Sequence, residues 1–185
     1  MQPRFASLTL LCILLSFGSQ AQEFIPIAHV DSVNEAYAGR TYGAFQATMT
    51  DGKMLNNAAI KGKVTMFYFW YARCATCKND VPILNYLYSE HKKDPNFRLI
   101  GISCDARAET QAAVKQFGIQ FPVATVKDLK MLRQMNLNNG LSSSVLLGKD
   151  GKVVYVKFGG VYYSKHDPDG RTNFYGKIDR ALKKK

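Results

Sequence analysis

Cys74 and Cys77 stand three residues apart with Ala75 and Thr76 between them, a spacing that suits thiol chemistry. At the start of a helix, two residues at that interval face the same side, within reach of a disulfide bond. The N-terminus of a helix offers unpaired N–H groups and the positive end of its dipole, and both favour a thiolate. A free cysteine titrates near about 8.5, and such a setting lowers it to roughly 3.5 to 7.5. Cys74 is therefore expected to be the attacking sulfur. Cys77, one turn further in, is expected to resolve the mixed disulfide that Cys74 forms with a substrate.

A Cys-x-x-Cys pair can also be half of a zinc site or a haem attachment point. Lys78, not histidine, follows Cys77, which argues against haem. Zinc would need two more ligands. Beyond the dithiol the chain offers Cys104, His29, His91 and His166, none at zinc-finger spacing. No metal or cofactor is expected.

The elements around the pair favour the redox reading. Val64 to Trp70 reads Val-Thr-Met-Phe-Tyr-Phe-Trp, apolar on both faces, as a central strand covered by helices should be. After the cysteines, Val81, Leu84, Leu87 and Tyr88 recur at helical spacing to about His91. Upstream, Ala44 to Thr48 and Lys53 to Leu55 flank Asp51-Gly52, a hairpin turn signal. Downstream, Phe97 to Ser103 predicts a strand ending at Cys104-Asp105. Glu109 to Phe117 predicts a helix with Ala113, Val114 and Phe117 inward, and Asp128 to Met135 a short one. Ser143 to Leu147 and Val153 to Phe158 predict strands joined across Asp150-Gly151. Asp167 to Gly170 is a polar turn, and Asn173 to Leu182 a closing helix with Phe174, Ile178 and Leu182 on one face. This order predicts one α/β domain with a mixed central sheet flanked by helices and an N-terminal β-hairpin extension.

Residues 1–21 read as a signal peptide. Arg4 supplies the positive region, Phe5 to about Gly18 the apolar run, and Ser19-Gln20-Ala21 a small-x-small cleavage site. The run is shorter than the roughly 20 apolar residues that span a bilayer. Cleavage near Ala21 is therefore expected, with no stable membrane anchor and a periplasmic or secreted location. Thr9-Leu10-Leu11 lacks the small residue usual before a lipidated cysteine, so Cys12 is expected to leave with the signal. Residues 22–43, with Pro26 and no sustained period, form a lead-in segment, and residues 44–185 the domain.

In the mature chain the cysteines are then Cys74, Cys77 and Cys104, an odd number in an oxidising compartment. A close-spaced pair staples little, because stabilisation grows with the loop a cross-link closes, and that favours chemistry over architecture. With 46% apolar residues the chain can bury a core without staples. The net charge of +11 is spread along the chain apart from Lys183-Lys184-Lys185. It suits acidic partners or anionic surfaces; nucleic-acid binding is not expected of a secreted chain.

From about Ala44 to Gly159 the chain resembles the thioredoxin superfamily, specifically its TlpA/ResA-type secreted thiol-disulfide oxidoreductases. The residues that carry the resemblance are Thr50-Asp51-Gly52-Lys53, Lys61-Gly62-Lys63-Val64, Phe69-Trp70 leading into Cys74-Ala75-Thr76-Cys77-Lys78, and Pro82, which matches a helix-kinking proline. Asp105, Phe121-Pro122-Val123 and the hairpin from Leu146-Leu147 to Asp150-Gly151 complete it. The resemblance implies a monomer that reduces disulfides of extracytoplasmic proteins and is recharged by an upstream thiol donor.

Three departures bear on the site, whose tuning or substrate-groove candidates are Arg73, Ala75, Thr76, Tyr68 and Ser142. Ser142 in Gly140-Leu141-Ser142-Ser143 aligns with the family's cis-proline. A cis bond before serine costs about 2.5 to 4 kcal/mol, against about 0.5 to 1 before proline, so the loop is either trans or strained. That loop normally meets the substrate strand and shields the thiols from metal, so its change motivates an alternative: copper handling, or a non-catalytic binding module. Arg73 replaces a frequent tryptophan and is either a cation that stabilises the Cys74 thiolate or simply exposed. Tyr68, six residues before Cys74, replaces a buried carboxylate that in some relatives takes the proton of the resolving thiol; water or Tyr68 itself would then serve. Cys104 is expected on the same rim as the dithiol, as a small buried hydrophobe or, less simply, a third redox sulfur. A peroxiredoxin-type peroxidase would need threonine or serine three residues before its reactive cysteine, where Tyr71 or Cys74 stands.

Overall fold

Every residue from Val64 to Trp70 is buried, which makes this strand the axis of the protein. Side chains alternate across a strand. Val64, Met66, Tyr68 and Trp70 accordingly enter one apolar layer, while Phe67 and Phe69 enter the other. The computed structural model describes residues 34, 36–161 and 174–184. The expected signal peptide with Cys12, most of the expected lead-in segment with Pro26 and His29, and the turn expected at Asp167–Gly170 with His166 lie outside the described residues.

The strands are β1 (Gln46–Met49), β2 (Met54–Asn56), β3 (Val64–Trp70), β4 (Phe97–Ser103), β5 (Val123–Thr125), β6 (Ser143–Leu147) and β7 (Val153–Phe158). The helices are α1 (Asn57–Ile60), α2 (Ala75–His91), α3 (Arg107–Phe117), α4 (Leu129–Met135) and α5 (Tyr175–Lys183). One sheet runs in the order β2-β1-β5-β4-β3-β6-β7. Strands β3, β4 and β5 are parallel neighbours, and the remaining pairings are antiparallel. The β1–β2 hairpin turns at Asp51-Gly52, and through the β1–β5 pairing it extends the sheet at one edge.

Helices α2, α3 and α5 cover one face through Cys77, Leu84, Leu87, Ala113, Ile178 and Ala181. On the other face lie α1 and α4, with Ile60, Leu132 and Met135 joined by Tyr42 and Phe45. The end of the lead-in segment runs along β7: Gly39 N–H donates to the Val153 carbonyl at 2.8 Å, and Val153 N–H to the Arg40 carbonyl at 2.9 Å. Helix α3 begins two residues before the expected Glu109. Strand β5 and helix α1 were not anticipated, since three or four residues are too few to display a period.

The register sets the functional edge. Trp70 pairs with Ser103, and Ser103 with Thr125, so the three parallel strands end together. Ser143, the first residue of β6, lies opposite Phe69 at the same edge. The turn to Cys74, the Cys104-Asp105 segment and the loop before β6 therefore share one rim, as the parallel order required.

Candidate active site

The end of β3 delivers the chain into a turn that is tied to β4. Asp105 Oδ2 accepts the Ala72 N–H at 2.6 Å and the Ser103 hydroxyl at 2.9 Å, and Thr110 Oγ1 donates to Ser103 Oγ at 3.2 Å. This brace fixes the direction from which the chain enters α2. Pro82 lies inside α2, where its missing N–H removes the bond to the Lys78 carbonyl.

Cys74 is the N-cap of α2 and is joined to Cys77 by a disulfide. Cys77 N–H donates to Cys74 Sγ at 3.0 Å, and the Thr76 hydroxyl meets the same sulfur at 3.3 Å. A helix cap is normally an oxygen; here the sulfur of Cys74 satisfies one of the N–H groups that the first turn leaves open. The resolving position is the more enclosed, with Cys77 1% exposed against 5% for Cys74. Ala75 and Thr76 are exposed beside the pair.

Three residues beyond Cys77, on the same side of α2, Asp80 is buried. Its Oδ2 accepts the Tyr68 hydroxyl at 2.8 Å and the Ser142 hydroxyl at 3.0 Å. Its Oδ1 accepts the Val161 N–H at 3.1 Å. Residues 68, 80, 142 and 161 thus meet at one carboxylate from four different segments. The Tyr68 and Ser142 oxygens, both donors to Asp80, are 3.4 Å apart. Burial drives the Tyr68 phenol well above the ordinary tyrosine range, reinforced by the Asp80 carboxylate and only partly offset by the Ser142 contact. With its hydroxyl given to Asp80, Tyr68 acts in this arrangement as a donor to a buried carboxylate. A carboxylate is present, supplied by α2 instead of β3.

The loop before β6 is trans, since no peptide bond among the described residues is cis. Its strain is in φ: Leu137 at 57°, Asn138 at 59° and Ser142 at 42° all occupy the left-handed region. Ordinary residues pay about 1 to 3 kcal/mol for such conformations, and they persist where the surroundings over-determine them. Here Asn136 Nδ2 and Ser143 Oγ both donate to the Gly140 carbonyl, at 2.9 and 2.7 Å, and Gly159 N–H donates to the Ser142 carbonyl at 2.8 Å.

Arg73 extends into solvent, its side chain 87% exposed and its Nε 3.8 Å from Glu109 Oε1 on α3. Of the two readings the sequence left open for it, the exposed arginine fits this geometry. Cys104 is partly buried against the α4 side of the sheet. Burial raises its thiol above the usual cysteine value, and the Asp105 carboxylate adds to the rise.

Asp80 is the site residue that sequence reasoning passed over, and Asp105 was noted only as part of the family pattern, without the bracing role it has here. Asp80 left a trace: Cys77, Asp80, Val81 and Leu84 follow the inward stripe of α2, and an acid on such a stripe needs partners.

Comparison with known proteins agrees with this geometry. The Redoxin family matches residues 19–169. The thiol-disulfide oxidoreductase ResA of Bacillus thuringiensis is 34% identical over 120 residues, which are 63% of this chain and 66% of that protein; the match thus spans just under two thirds of the relative's length. Among solved structures, a protein assigned as a disulfide isomerase from Bacteroides thetaiotaomicron aligns with a TM-score of 0.66 at 24% identity, covering 80% of this chain and 91% of its own. A thiol:disulfide interchange protein of the thioredoxin family from Chlorobium tepidum aligns with a TM-score of 0.60 at 23% identity, covering 77% and 95%. With the dithiol capping the helix that follows the central strand of a thioredoxin-like sheet, the chain belongs to the Redoxin family, within the thioredoxin superfamily.

Proposed function

We propose that this protein is a thiol-disulfide oxidoreductase that reduces disulfides of extracytoplasmic proteins, with Cys74 as the attacking sulfur and Cys77 as the resolving one. The observation that carries the reading is the Cys74–Cys77 pair at the first turn of α2, where the Cys77 N–H is already directed at Cys74 Sγ. In the reduced state that N–H, the Thr76 hydroxyl and the helix terminus would all solvate a Cys74 thiolate.

The reaction runs in two displacements. The Cys74 thiolate attacks one sulfur of the substrate disulfide, forming a Cys74–substrate bond and expelling the other substrate sulfur as a thiolate. Cys77 then gives up its proton and attacks Cys74 Sγ. The Cys74–Cys77 disulfide forms, the second substrate thiolate leaves, and two electrons have passed to the substrate. We assign to Asp80 the role of taking the Cys77 proton. The two side chains are one helical turn apart on one face, with Cβ atoms at such spacing about 5 to 6 Å apart, and both are buried. An upstream dithiol donor returns the enzyme to its reduced form. No helix among the described residues is long and apolar enough to cross a membrane. The N-terminal signal pattern supports an extracytoplasmic, unanchored protein.

A redox titration by alkylation and intact mass, in thiol buffers from about −120 to −300 mV, tests the proposal. A reversible two-electron couple lost in both C74S and C77S is expected, at the reducing end of the range. A couple at the oxidising end would reverse the direction of transfer. No couple, or a protein that retains a metal mass, would replace the oxidoreductase with a binding module.

A further inference from the structure

The two hydroxyls on Asp80 Oδ2 arrive from different parts of the site. Tyr68 comes from the rigid central strand, and Ser142 from the strained loop at the rim. At φ 42° a side chain with a Cβ is disfavoured, and glycine is the residue that conformation suits. What serine adds there, and glycine lacks, is the hydroxyl, and that hydroxyl is spent on Asp80. The same loop residue has its carbonyl fixed by Gly159 N–H, so the side chain has a settled direction. Ser142 is 4% exposed and Tyr68 1%, so neither bond competes freely with solvent.

We infer that Ser142 and Tyr68 are positioning residues for the resolving step, which together hold the Asp80 carboxylate where it can receive the Cys77 proton. The inference rests on the role proposed above for Asp80. Hydrogen bonds from two sides fix both carboxylate torsions, because Oδ2 is clamped between strand and loop while Val161 N–H holds Oδ1. Through Ser142, the loop that shares a rim with the dithiol is tied by one bond to the acid assigned to Cys77. In the step itself the Cys77 S–H bond breaks, its proton passes to an Asp80 oxygen, and the freed thiolate displaces the substrate sulfur from Cys74. The two hydroxyls keep their own protons and change only how well the acceptor is aimed. Without either clamp the carboxylate samples other rotamers, and the second displacement slows relative to the first.

The test is a single-turnover reaction of the reduced protein with a peptide containing one disulfide, quenched in acid and read by intact mass, so that the Cys74 mixed disulfide is counted directly. S142G removes the hydroxyl while relieving the left-handed backbone, and Y68F removes the other with little change of volume. Both are expected to lengthen the life of the mixed disulfide about tenfold relative to its rate of formation, the scale of one hydrogen bond to a charged group. S142G should do so with a melting temperature equal to or above that of the parent protein, which a merely structural role for the serine would not allow. If D80N accumulates the intermediate while S142G and Y68F resolve at the parent rate, the positioning role is overturned and that of Asp80 stands. If D80N itself resolves at the parent rate, the role of Asp80 falls, and the positioning role with it.

Discussion

Replacing Asp80 separates what its oxygens hold from what its charge does. In D80A three buried donors lose their acceptor: the Tyr68 hydroxyl, the Ser142 hydroxyl and the Val161 N–H. A buried donor left unsatisfied costs about 1 to 3 kcal/mol. The two hydroxyls, 3.4 Å apart, can turn toward one another and recover one bond, which leaves two orphans and a small cavity. The expected loss is about 3 to 5 kcal/mol, a large share of the roughly 5 to 15 kcal/mol typical of a folded domain. D80N is a different perturbation. Its carbonyl oxygen still accepts one bond, and its amide can donate to hydroxyl oxygens, which accept as readily as they donate. A loss of about 1 kcal/mol is expected. Urea unfolding of the three proteins, all with the disulfide intact, gives the comparison through their midpoints at a shared slope. D80A losing less than about 1 kcal/mol would refute the reasoning, because the carboxylate would then not be the acceptor that holds these segments together.

Two further outcomes follow from the same geometry. In the reduced protein at neutral pH, iodoacetamide should modify Cys74 well before Cys104, because burial and the Asp105 carboxylate keep the Cys104 thiol protonated; equal rates by intact mass would contradict this. Burial also raises the phenols of Tyr42, whose hydroxyl donates to the Met135 carbonyl, and of Tyr68. The folded-state values lie above the unfolded value of about 10, so this stabilisation is whole below that pH and is lost as pH climbs beyond it. Urea midpoints should therefore hold up to about pH 10 and fall above it, less steeply in Y68F; a midpoint that stays level in strong alkali would contradict it.

Much of this molecule was legible in its residues. The β-branched and aromatic run of β3, apolar on both faces, read as a strand covered by helices, and the helical spacing from Val81 to Tyr88 announced α2. The cysteine pair between them followed from that order. Boundaries of the long elements were read to within two residues of the structure, whereas β5 and α1 were hidden because so few residues carry no period. Ser142 was singled out as a departure from the family pattern, yet its meaning was not visible. The alternatives at that position were a trans loop or a strained cis bond; the structure holds the trans loop, and the left-handed φ of Ser142 was not foreseen.

What the sequence by itself determined is local: which segments are strands and helices, and that two thiols one helical turn apart can form a disulfide. Those properties depend on residues close in the chain, whose periodicity and spacing are written there directly. What only the tertiary structure decided is which distant polar groups meet. Tyr68 and Ser142 lie 74 residues apart and reach one carboxylate because β3 and β6 are paired neighbours and α2 crosses their face. A buried acid must find its partners wherever packing brings them, and that choice is made by the assembled sheet.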